Sequence, residues 1–89
     1  MTAEQITVRN RAGLHARPAS LIVKTAQKYE SSIFLEKEGM KVNAKSIMNI
    51  FSLGAAYKTE LIISAEGPDE QEAVNALAAL FNSRFEEVD

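Results

Sequence analysis

Apolar and polar positions alternate along residues 5–9, with Ile6 and Val8 on one side, and this period of two predicts a short half-buried strand. Over residues 16–28 the period changes. Ala19, Ile22, Val23 and Ala26 now recur at helical spacing, one face of an amphipathic helix. Ile33 and Leu35 then alternate with Phe34 and Glu36, and Met40 with Val42, around Lys37-Glu38-Gly39, which predicts two strands joined by a tight turn. Ser46 precedes Ile47, Ile50 and Phe51 at helical spacing, with Gly54 placed to end that short helix. Residues 60–65 are β-rich through Leu61, Ile62 and Ile63. The clearest element comes last: Asp69-Glu70-Gln71-Glu72 predicts a capping box, and Val74, Leu77, Phe81 and Phe85 line one face of the long helix it opens.

The predicted order is βαββαβα. Strands and helices in this sequence, with hairpin-like connections, argue an α+β domain whose small sheet is covered by helices on one face. Pattern alone leaves the strand order open, because the ferredoxin-like fold begins with the same β-α-β-β-α-β run.

Composition narrows the function classes. The chain has 89 residues, which predicts a single domain spanning 1–89. With 46% hydrophobic and 25% charged residues it has the balance of a soluble globular protein. There is no cysteine, which removes thiol catalysis, disulfide frameworks and thiolate zinc sites together. Met1-Thr2-Ala3-Glu4-Gln5 lacks the basic and apolar stretches of a signal peptide, and no run approaches the ~20 apolar residues that span a bilayer, so a cytoplasmic protein is expected. A formal net charge of −2 gives no reason to expect nucleic acid or anionic lipid as a partner.

The chemistry concentrates in Gly13-Leu14-His15-Ala16-Arg17-Pro18-Ala19, where the chain's single histidine stands immediately before the first predicted helix. A helix start carries unpaired backbone N–H groups and the positive end of the macrodipole, so an anion attached there meets ready-made donors. A neutral imidazole is a nucleophile able to carry that anion, and the Arg17 guanidinium is shaped to grip phosphoryl oxygens. Pro18, lacking an N–H, gives up no intrahelical bond within the first turn.

This segment, together with Lys41-Val42-Asn43-Ala44-Lys45-Ser46-Ile47-Met48 and Ser52-Leu53-Gly54 downstream, resembles HPr, the histidine-containing phosphocarrier family of the phosphoenolpyruvate:sugar phosphotransferase system. The resemblance covers nearly the whole chain. It implies an open-faced β-sandwich: a four-stranded antiparallel sheet in the order 1-4-2-3 with three helices on one side. It also implies a phosphoryl relay without a cofactor, in which Nδ1 of His15 accepts the group from enzyme I and passes it to enzyme IIA components of sugar transporters. Arg17 and the backbone N–H of Ala16 would hold the phosphoryl group. Leu14, Ser20, Lys24, Lys45, Ile47, Met48 and Phe51 would belong to the partner surface of a monomeric carrier. The serine of Asn-Ala-Lys-Ser-Ile-Met, here Ser46, is phosphorylated in part of the family by a serine-specific HPr kinase/phosphorylase, which links the carrier to a catabolite regulator. Ser46 is also a good helix N-cap on its own account. Asn49 and Phe51 stand where many relatives have glycine and methionine, which touches partner preference and leaves the carrier role intact.

Rival readings remain at this point. Some relatives act as phosphorelay regulators without sugar transport. From a different class, a small acyl-phosphate hydrolase of ferredoxin-like fold would use an arginine and an asparagine to bind phosphate and orient water, though its glycine-rich loop is absent. A pure interaction domain would leave His15 idle. No metal is expected: with one histidine and no cysteine, the other ligands would all have to be carboxylates. A hydrolytic triad is disfavoured too, since nothing orients His15 against Ser20.

Overall fold

The computed structural model describes residues 1–86. Its elements are β1 (Thr2–Thr7), α1 (Ala16–Ala26), β2 (Ser32–Lys37), β3 (Met40–Asn43), α2 (Ile47–Ser52), β4 (Glu60–Glu66) and α3 (Glu70–Asn82), with a 3-10 turn at Arg84–Glu86. The four strands form one sheet in the order β1-β4-β2-β3. Every pairing is antiparallel. A ferredoxin-like sheet is also antiparallel throughout but runs in the order 4-1-3-2, with β1 between β4 and β3, whereas here β4 lies between β1 and β2; the strand order therefore excludes that fold, and with it the scaffold of the acyl-phosphate hydrolase reading.

Alternation decides which face of the sheet is covered. Ile6, Leu61, Ile63, Ile33, Leu35 and Val42 turn toward the helices and join one buried cluster with Ile22, Val74, Leu77 and Phe81. Gln5, Glu60, Ile62 and Lys41 lie on the other, exposed face. The β2–β3 turn places Glu38 at φ 49° and Gly39 at φ 84°, the left-handed pair that suits the twist of a two-residue hairpin.

The sequence-based boundaries shift in instructive ways. β1 starts at Thr2, earlier than its alternation indicates, because Thr2 pairs with Ala65 and the strand runs the length of β4. α1 ends at Ala26, two residues early; Lys28 and Tyr29 donate to Thr25 and Ala26 instead, a tightened last turn. Phe85 leaves the helix, since Arg84 and Phe85 adopt left-handed backbone at φ 55° and 54°. Its ring still reaches the predicted stripe and meets Phe81 edge-on at 4.9 Å between centroids.

The predicted capping box is corrected outright. Asp69 is the N-cap residue of α3, yet its carboxylate makes no cap bond. It accepts instead from the backbone N–H groups of Glu30 and Ser31, at 3.0 and 2.9 Å, and from the Ser31 hydroxyl. The reach-back bond lies two residues earlier, where Glu70 Oε1 accepts from Gly67 N–H at 3.2 Å. Asp69 therefore ties the start of α3 to the chain entering β2.

The Ser31 hydroxyl, followed by the Glu30 N–H, holds the Asp69 carboxyl below the usual carboxylate range. A depressed carboxyl contributes stability that is present above its unfolded pKa of ~3.9 and is lost as pH falls through the lower folded value. Asp69→Asn is accordingly expected to be less stable at neutral pH and to show a flatter acid limb below about pH 4 in urea midpoints measured against pH. An unchanged acid limb would remove Asp69 from the account.

Candidate functional site

The approach to α1 is built by a short loop whose bonds can be followed one by one. After Val8, which exchanges hydrogen bonds with Lys58 and Thr59, the chain buries Asn10 completely and turns back on itself. Gly13 N–H donates to the Asn10 carbonyl at 3.1 Å, and the Asn10 amide donates to the Gly13 carbonyl at 2.6 Å. Gly13 has φ 73°, and a Cβ there would stand 2.8 Å from the Ala55 carbonyl oxygen, so both conformation and space require glycine. Leu14 N–H donates to that same Ala55 carbonyl at 3.0 Å. The loop after α2 thus forms the wall against which the α1 approach is pressed.

His15 follows as the N-cap of α1, extended at φ −86° and ψ −164°, with its side chain making no cap bond. Its carbonyl accepts from Ala19 N–H at 3.0 Å, closing the first helical turn. Pro18 has no N–H, so the donors left without helical partners in this turn are those of Ala16 and Arg17. No acidic residue stands in the first turn to offset the positive end of the dipole. His15, Ala16 and Arg17 are all exposed, and among the described residues the Arg17 guanidinium is tied to no carboxylate. An anion on the imidazole would meet two backbone donors and a guanidinium at an open surface.

The expected partner residues divide on inspection. Ile47, Met48 and Phe51 are 38%, 71% and 41% exposed on α2, while Ile50 on the same helix is fully buried. Since α2 packs against α1, this apolar surface lies on the helix adjoining the one that carries His15. Lys24 is exposed and Ser20 half-buried. Leu14, by contrast, is only 8% exposed and belongs to the core, where it anchors the loop from beneath. Lys45 is half-buried, and its ammonium donates to the Tyr29 carbonyl at 2.7 Å, so it ties α2 to the end of α1.

Ser46 caps α2. Its hydroxyl oxygen accepts from Asn49 N–H at 3.4 Å and from the Asn49 amide at 3.0 Å, and Asn49 Oδ1 accepts from Asn43 N–H at 3.3 Å. Asn49, which the sequence marks only as a departure from relatives, therefore braces the serine. A polar residue three positions after a capping serine is the available signal for such a role. Asn10 and Ala55 carried no comparable signal.

Similarity to known proteins gives the family. The family model described as the PTS HPr component phosphorylation site matches residues 2–83. The chain belongs to the HPr family. The phosphocarrier protein HPr of Treponema pallidum (strain Nichols) is 46% identical over 87 residues, covering 98% of this chain and 99% of the relative. A crystal structure of HPr-C-His from Thermoanaerobacter tengcongensis superposes with a TM-score of 0.96 at 50% identity, covering both chains completely. The HPr-like protein Crh of Bacillus subtilis (strain 168) is 51% identical over 79 residues, covering 89% of this chain and 93% of Crh. A solved Crh structure is described as a dimer with a swapped domain, which stands against the simple expectation of a monomer for relatives of this kind. The family's role is that of a phosphocarrier in the phosphotransferase system, and the sheet order and helix count expected from the resemblance match the HPr structures. Among the described residues no helix is long and apolar enough to cross a membrane.

Proposed function

We propose that this chain is a cytoplasmic phosphocarrier in which His15 accepts a phosphoryl group from phosphorylated enzyme I and delivers it to enzyme IIA components. The observation that carries this reading is the placement of His15: exposed, extended, uncapped, and directly before the open donors of Ala16 and Arg17. In the forward step the Nδ1 lone pair of neutral His15 forms a bond to phosphorus as the bond from phosphorus to the donor breaks. Charge on the equatorial oxygens is met by the Ala16 and Arg17 N–H groups and the Arg17 guanidinium. Transfer to the next protein reverses the bonding, so an open site suits a carrier better than a deep pocket. One copy contains every residue of the site.

The partner surface is Ile47, Met48 and Phe51 on α2, with Ser20, Lys24 and Arg17 beside it. Met48, with its adaptable thioether, suits docking to several partners in turn. Incubation with phosphoenolpyruvate and enzyme I, followed by mass measurement and acid treatment, tests the proposal: one acid-labile phosphoryl adduct is expected, and its absence would sink the carrier. The likeness to Crh supports a second reading, a phosphorelay regulator without sugar transport. Onward transfer to enzyme IIA separates the two.

Ser46 is proposed as a regulatory phosphorylation site for a serine-specific HPr kinase/phosphorylase. A phosphate there would add roughly −1.5 to −2 of charge beside Ile47 and Met48 at the positive end of α2. Ser46→Asp keeps a capping oxygen and is expected to hold stability equal or raise it by up to ~1 kcal/mol, while slowing phosphorylation of His15 by enzyme I. Ser46→Ala is expected to lose about 0.5–2 kcal/mol and to accept phosphate at a near-normal rate. Thermal melts and enzyme I kinetics decide; a Ser46→Asp variant as fast as wild type leaves Ser46 as a cap alone.

A further inference from the structure

We propose that Asn10 is a positioning residue for His15, which deepens the reading of His15 as phosphoryl acceptor and rests on it. The argument turns on one peptide unit. The Gly13 carbonyl and the Leu14 N–H belong to the same planar peptide group. The Asn10 amide holds its oxygen at 2.6 Å, and the Ala55 carbonyl holds its N–H at 3.0 Å. Both ends of the peptide plane that precedes Leu14 are therefore clamped, and a third bond, Gly13 N–H to the Asn10 carbonyl at 3.1 Å, closes the turn behind it.

Downstream of Leu14 the chain is fixed again. The His15 carbonyl is bound by Ala19 N–H at 3.0 Å, so the peptide group after His15 is already helical. Between these two anchored planes lies the Leu14–His15 peptide, and the Leu14 side chain that could swing it is packed in the core at 8% exposure. The direction in which the imidazole leaves the chain is thereby set from both sides. The Ala55 wall is itself braced, since the half-buried Lys37 ammonium donates to the Leu53 and Gly54 carbonyls at 3.0 and 3.4 Å just before it.

Asn10 is an expensive residue to place there. It is fully buried, and its Oδ1 has no partner among the described residues. A buried unpaired acceptor costs stability that an apolar residue would avoid. What the site gains is a donor aimed at the Gly13 carbonyl, and turning the amide over would set two oxygens against each other. Retention of a half-satisfied amide beneath the phosphoryl acceptor is accounted for by the orientation it imposes on the peptide before His15.

The test uses Asn10→Ala, which removes the donor, and Asn10→Asp, which keeps the shape and replaces the donor by an oxygen. Each is compared with wild type at a temperature where its amide NMR spectrum shows it folded. Acceptance of phosphate from enzyme I is expected to fall about ten- to a hundredfold in kcat with KM for the carrier little changed, because the α2 surface is untouched. A folded variant that accepts phosphate at the wild-type rate overturns the proposal. If neither variant folds, the wild type decides: a scalar coupling across the hydrogen bond from the Asn10 amide nitrogen to the Gly13 carbonyl carbon is expected, and its absence overturns the proposal. Chemical labelling of His15 with phosphoramidate keeps this inference separable from the carrier reading. Should enzyme I fail to label wild type, the carrier reading falls; the half-life and 31P shift of the chemically placed adduct still judge Asn10, with half-lives expected to differ by about tenfold and equal values counting against it.

Discussion

His15→Ala is expected to accept no acid-labile phosphoryl group from enzyme I under conditions in which the wild-type chain is expected to gain one. The expectation is one of total loss, because the chain has a single histidine and the Arg17 guanidinium beside it stays protonated and is not a nucleophile. Serine hydroxyls such as Ser20 and Ser46 would give acid-stable esters, so acid treatment separates the two kinds of adduct. The fold should be unaffected: His15 is exposed, and its side chain makes no cap bond whose loss would destabilise α1. Mass spectra before and after acid, with circular dichroism as a control for folding, check this directly. An acid-labile adduct on His15→Ala would mean that the phosphoryl acceptor has been misassigned.

Phe81→Ala should be the most damaging single truncation for the fold. Phe81 is fully buried, faces the sheet from α3, and packs edge-to-face against Phe85 at 4.9 Å between centroids. Removing the ring is expected to cost about 3–5 kcal/mol through lost burial and the cavity left behind. Small domains hold only about 5–15 kcal/mol in total, so much of the stability would go. At about 4–8 °C per kcal/mol for a domain of this size, the melting temperature should fall by about 12 °C or more. Urea and thermal unfolding measure it. A fall of under about 1 kcal/mol would show that the core closes around the gap or that Phe85 moves to fill it.

Local signals were legible because they depend on residues within a turn of each other. The periods of two and of three to four marked β1 to β3 and the helices, the β-rich run Leu61-Ile62-Ile63 marked β4, Glu38-Gly39 marked the hairpin, and Ser46 marked the start of α2. His15 with Arg17 marked the candidate site, since a nucleophile and a guanidinium at a helix start are chemically meaningful before any contact is known. Asp69 misled for an equally physical reason: a carboxylate at an N-cap has local donors within reach, but Ser31 and Glu30 arrive from another segment and take it.

The sequence by itself thus determined the elements, their order, and the histidine at the first helix start, because period, capping and turn chemistry act along the chain. Tertiary structure decided the rest. Strand order and the antiparallel register of β1 with β4 depend on which segments meet, and no local pattern reports that. The burial of Leu14, the use of Lys45 to hold Tyr29, and the clamp of Asn10 and Ala55 on the peptide before His15 arise for the same reason. Each is a contact between groups distant in sequence or hidden by packing, whose energy exists only once the sheet and helices have closed.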